Sequence, residues 1–105
     1  MANMTDCEYF ESQIDEELYG ACDYVKRAIE LKAMDTTMSK TFLDMSAAEL
    51  SHASALYKMF GDYYKITVSA YTEPPKYIEE AKKRIDEFYP ERSAKVLMMH
   101  EMYKK

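Results

Sequence analysis

The sequence predicts an all-α fold. Two Gly and three Pro in 105 residues leave few places to turn. Nine Met, with many Ala, Glu and Lys, favour helices. Apolar residues recur three and four apart over long stretches instead of alternating, which is the helical period. The length suits one domain, residues 1–105, and no window is long and apolar enough to span a bilayer. No fixed repeat period suggests a solenoid.

The first helix is expected over about 5–34, with Phe10, Ile14, Leu18, Ala21, Val25 and Ala28 on one face. The short polar run "MDTTMS" reads as a tight connection, with Thr36, Thr37 or Ser39 at the next N-terminus. The second helix carries Phe42, Met45, Glu49, His52, Leu56, Met59 and Tyr63, three and four apart, as its expected inward strip. It ends between 61 and 72, where Gly61, "ITV" and "EPP" gather. Pro74 and Pro75 suit the start of a third helix over 75–89, with Ile78, Ala81, Ile85 and Phe88 on one side. Pro90 is expected to break it and leave "ERSAKVLMMHEMYKK" as a short terminal helix. The architecture is therefore an antiparallel two-helix hairpin, about 5–63, with one or two shorter helices over about 75–104. Met45, Met59, Met98 and Met99 read as adaptable core, and "EEAKKRIDE" as a solvated face.

A net charge of −5 repels a phosphate backbone, and the basic residues are scattered among acids, so nucleic acid is excluded as an expected partner. The opening "MANMTDCEYF" has neither a basic start nor an apolar block, and a cytoplasmic location is expected. Cys7 and Cys22 are too few for a disulfide framework or a four-thiolate site, and both are read as reduced and structural.

Three ionisable residues interrupt the apolar strips. Glu49 and His52 stand three apart in "AAELSHASAL", and Glu17 lies between Ile14 and Leu18. Residues three apart on a helix project from one side, within reach of a single ion. A hairpin turning near 34–36 pairs positions whose numbers sum to about 70, which brings Glu17 within about one helical turn, roughly 5 Å, of the Glu49 and His52 level. No Lys or Arg lies on either strip to neutralise the two carboxylates. Burying them unpaired costs several kcal/mol each, so a cation is the simplest counter-charge. Carboxylate with imidazole suits iron, manganese or zinc better than calcium.

At these residues the chain resembles the ferritin-like superfamily, in which a Glu on one helix and a Glu-x-x-His on its partner hold a di-iron centre. The likeness is closest to the encapsulated-ferritin branch, with a related pattern in rubrerythrins. It rests on "EELYGACDY", Glu16 to Tyr24, and "ELSHASAL", Glu49 to Leu56, and covers roughly residues 8–63. The resemblance implies that Glu17, Glu49 and His52 are metal ligands. It implies that Tyr24 is a hydroxyl beside them, able to bond a ligand carboxylate or take part in electron transfer, and that Glu16 is an acid at the metal entrance. Tyr19 stands where the family tends to place a further acid. The cofactor implied is a di-iron pair, with manganese or zinc as substitutes, and the activity implied is ferroxidase, Fe(II) to Fe(III).

One chain supplies half of such a site, because Leu97 stands three residues before His100 and no second Glu-x-x-His exists. The resemblance thus implies a homodimer or higher homo-oligomer that completes a four-helix bundle. The C-terminal "MMHEMYKK" shows no recognisable encapsulin-shell targeting peptide. The alternative class is a non-catalytic helical adaptor whose polar seam residues set pairing register, favoured by the ten Tyr and many Met.

Overall fold

In a computed structural model, residues 4–105 are described and form three helices in up-down-up order: α1 (Met4–Leu31), α2 (Thr36–Ser69) and α3 (Lys76–Lys104). The first residues of the "MANMTDCEYF" segment, 1–3, lie outside the described residues. No helix among the described residues is long and apolar enough to cross a membrane.

α1 buries the face its spacing predicts. Ile14, Leu18, Ala21, Val25 and Ala28 are all fully buried or nearly so, and Cys7 extends the same line. α2 begins at Thr36, one of the three expected positions, but the capping side chain is that of the residue before it. Asp35 is the N-cap residue, and its Oδ1 accepts from the Met38 amide at 2.9 Å. Ser39 is instead buried against α1.

The inward strip of α2 also differs from the expectation. Its buried residues are Ser39, Ser46, Ala53, Phe60 and Thr67, every seventh position. The Phe42–Glu49–Leu56–Tyr63 line is half-buried on one flank, and Met45, His52 and Met59 are exposed. The reason is physical: small residues let two helices approach closely, and the serine hydroxyls find partners in the contact. Ser39 Oγ donates to the Ala28 carbonyl and Ser46 Oγ to the Ala21 carbonyl, both at 2.6 Å. Each oxygen also meets α3, at Tyr103 Oη (3.1 Å) and His100 Nε2 (2.9 Å). Because each serine proton is committed to α1, the α3 group must donate. Two polar bridges thus tie the three helices together.

α3 runs unbroken through Pro90, contrary to the expected break. An interior Pro costs about 3 kcal/mol. Here the ring lies on the exposed side, while Ile78, Ala81, Ile85, Ser93 and Val96 keep one buried face across it. Ile78, Ala81 and Ile85 pack with Cys7, Ile14, Leu18 and Phe60, and Val96 packs with Ala21 and Val25. Packing on two successive stretches of α1 outweighs the local defect. Ion pairs Arg84–Glu11 and Arg92–Asp15 hold α3 to α1 on either side of Pro90. Of the methionines read as core, Met45, Met59 and Met98 are exposed, and only Met99 packs against a buried cluster.

The molecule measures 58 × 18 × 15 Å, with a radius of gyration of 16.6 Å. A compact domain of this length would have roughly 13 Å. The accessible surface, 6903 Å², likewise exceeds the roughly 6,100 Å² expected of a compact monomer of this mass. α3 covers one side of the hairpin and leaves the other open.

Candidate metal centre

The open side holds Glu17, Glu49 and His52. α1 presents Glu17 one turn after Gln13 and one turn before Gly20, and α2 presents Glu49 and His52 at helical spacing. The hairpin register then brings the three together, each offering one ligand atom, with those atoms all within 4.8 Å of one another. Glu17 Oε2 lies 3.4 Å from His52 Nδ1. That contact lacks hydrogen-bond geometry, and the buried Oε2 atom has no hydrogen-bond partner. A carboxylate oxygen shielded from water and left without a donor costs about 1–3 kcal/mol, more when charged. His52 is reachable from solvent, its side chain 61% exposed against 22% for Glu17.

Gly20 lies against the Glu49 side chain and was not singled out by the sequence pattern. A Cβ built there would lie 3.5 Å from Glu49 Cδ and Cγ and 3.6 Å from Oε2. The Glu49 carboxylate therefore rests on the α1 backbone in the space a larger side chain would fill. The available signal was a glycine inside a helix, at a cost of about 1 kcal/mol relative to Ala, three residues after Glu17.

The remaining sites expected from the resemblance are placed less closely. Glu16 is exposed and is not part of the triad. Tyr24 is half-buried two turns along α1 from Glu17, its ring tilted against Phe42 at 5.9 Å between centroids. Among the described residues, its hydroxyl makes no hydrogen bond to a triad atom. Tyr19 is 69% exposed and lines the cleft between α1 and α3 with Cys22, Lys26 and Arg92, away from the triad. His100 lies at the α2–α3 contact on Ser46, where burial first and then Lys104 lower its pKa from the ordinary value.

No family model, curated protein or solved structure matches the chain.

Proposed function

We propose that the chain is an iron-binding, ferritin-like protein in which Glu17, Glu49 and His52 form half of a di-iron ferroxidase centre, completed by a second copy of the chain. The observation that carries this reading is the buried, undonated Oε2 of Glu17 inside a cluster of two carboxylates and an imidazole. A cation held among the three groups would give that oxygen a partner. The donor set suits iron, with manganese or zinc as substitutes. Bound iron would supply one-electron redox chemistry. Glu17 and Glu49 would neutralise its charge, and His52 would add a neutral nitrogen donor.

The surface around the triad supports a two-fold partner. On α2 the exposed line Met38, Met45, His52, Met59 and Ile66 repeats every seven residues, beside the half-buried line Phe42, Glu49, Leu56 and Tyr63. This is the heptad pattern of a helix–helix seam, and nothing among the described residues covers it. The exposed line is centred on His52. On α1 the half-buried residues Phe10, Glu17, Tyr24 and Leu31 also repeat every seven, with Glu17 between Phe10 and Tyr24. Glu17 and His52 face each other across the hairpin. A two-fold axis at their level would set Met45 against the partner copy's residue 59, and Phe10 against its residue 24. It would also bring both half-sites together, as an isologous interface requires.

Anaerobic Fe(II) titration tests the reading. About one iron per chain is expected, with binding reduced at least tenfold in Glu17→Ala, Glu49→Ala and His52→Ala. Equal, poor binding by wild type and all three variants would favour the non-catalytic adaptor instead. Aerobic Fe(II) should then give ferric absorbance faster than buffer alone, and a rate untouched by Glu49→Ala would remove the ferroxidase claim.

A further inference from the structure

On the side of α2 facing α3, Tyr57 stacks on Tyr89 with centroids 4.1 Å apart and planes 13° from parallel. The Tyr57 hydroxyl donates to Asp86 Oδ1 at 2.8 Å, and Lys82 holds the other Asp86 oxygen. Both rings are half-buried and pack against the main core cluster. Tyr63 and Tyr64 also donate to carboxylates, Asp6 and Glu79. Tyr57 combines a carboxylate acceptor with a parallel second phenol.

An aligned phenol with a carboxylate at 2.8 Å can lose an electron and a proton together, because the phenol radical cation is a strong acid. A parallel second ring spreads the resulting electron deficiency. Burial, then the bond to Asp86, push the Tyr57 pKa up to about 12, so the residue enters any reaction as the protonated phenol.

We infer that the Tyr57–Tyr89 pair is a trap for one-electron oxidants, with Asp86 as its proton acceptor. In the step, the Tyr57 O–H bond breaks, the electron passes to the oxidant and the proton to the Asp86 carboxylate. The products are a neutral tyrosyl radical, protonated Asp86 and the oxidant reduced by one electron. The oxidant class is the hydroxyl radical formed, with hydroxide and Fe(III), when Fe(II) meets hydrogen peroxide. It takes up the electron to become hydroxide. Tyr57 lies five residues beyond His52 and eight beyond Glu49 on one helix, offset by about 8 and 12 Å along its axis. The residues protected would be the exposed thioethers Met45 and Met59 on either side of the triad, which oxidise to sulfoxides. The inference rests on the iron reading only for the source of the oxidant.

The test separates the two. Metal-free protein is exposed to a photochemically generated ruthenium(III) polypyridyl oxidant, freeze-quenched and measured by electron paramagnetic resonance. The expected tyrosyl signal falls by more than half in Tyr57→Phe, which keeps the stacked ring, and is unchanged in Tyr9→Phe. In Asp86→Asn, radical formation should slow several-fold and become dependent on buffer-base concentration. Loss of only about one tenth in Tyr57→Phe, the share of one tyrosine among ten, would overturn the trap. With Fe(II) and hydrogen peroxide, mass spectrometry should find more sulfoxide at Met45 and Met59 in Tyr57→Phe than in wild type. Equal sulfoxide in both would overturn the link to iron.

Discussion

Glu17 on α1 sets its Oε2 3.4 Å from His52 Nδ1 on α2, and the buried oxygen takes no hydrogen bond there. A contact kept for stability would be made with good geometry. This one leaves a charge without a donor, so its removal should have effects of opposite sign on folding and on binding. Glu17→Gln is expected to raise the melting temperature of metal-free protein by about 2–4 °C, the shift worth roughly half a kcal/mol in a domain of this size. The same variant should lose most of the stabilisation that metal gives to wild type. Thermal unfolding with and without Zn(II) checks both. A Glu17→Gln protein less stable than wild type without metal would identify a structural pair.

Gly20 should report on Glu49. An added Cβ would stand 3.5 Å from the Glu49 side chain, ordinary contact, so Gly20→Ala should keep metal binding and stabilise α1 by up to about 1 kcal/mol. Gly20→Leu fills the space in which the carboxylate rests and should weaken binding at least tenfold with little change in helix content. Circular dichroism and Fe(II) titration on the two variants separate the effects.

The bridge from His100 through Ser46 to the Ala21 carbonyl predicts a stability effect and a pH effect. Ser46→Ala leaves the His100 ring donor without its acceptor and the Ala21 carbonyl with its helical bond alone, at a cost of about 1 kcal/mol in denaturant unfolding. Burial lowers the His100 pKa from its ordinary 6.5. The unfolded chain therefore takes up a proton below that value before the folded chain does. Stability from this group is complete above about 6.5 and declines as pH falls from there toward the lower folded value. Between pH 7 and 5.5 the melting temperature of wild type should fall more steeply than that of His100→Gln.

The proposed two-fold makes a cross-linking prediction. With Cys7 and Cys22 replaced by serine, Met45→Cys and Met59→Cys proteins should each fail to form disulfide dimers. Under a two-fold at the His52 level, residue 45 lies about 20 Å from its own symmetry mate, far beyond the roughly 7 Å reach of a disulfide. Mixing the two variants with Zn(II) should give the cross-linked heterodimer on non-reducing gels. Dimers from one variant alone would contradict this pairing.

Much of the hairpin was legible because strong apolar residues mark α1 and because the turn near 32–35 sets the register that unites Glu17 with His52. The seam of α2 was not legible. Ser39, Ser46 and Ala53 carry little hydropathy, and their burial depends on close approach and on α1 carbonyls that only the folded hairpin supplies. The larger residues Met45 and Met59, read as core, lie on the exposed flank instead. Pro90 shows the same limit, since a local rule for breaking helices lost to a buried face that continues on both sides of it. The triad was readable by spacing, but Gly20, which makes room for Glu49, acts through the absence of a side chain.

In the proposed dimer, metal and a second copy of the chain complete one site. Sedimentation velocity of dilute protein titrated with Zn(II), which fills such ligands without redox chemistry, tests it most directly. A ligand bound only by the dimer must stabilise the dimer by mass action. The expected result is a shift from monomer to dimer that saturates near one zinc per chain, with no shift in Glu49→Ala. A chain that fills with zinc while remaining a monomer, or that binds none, would contradict the claim.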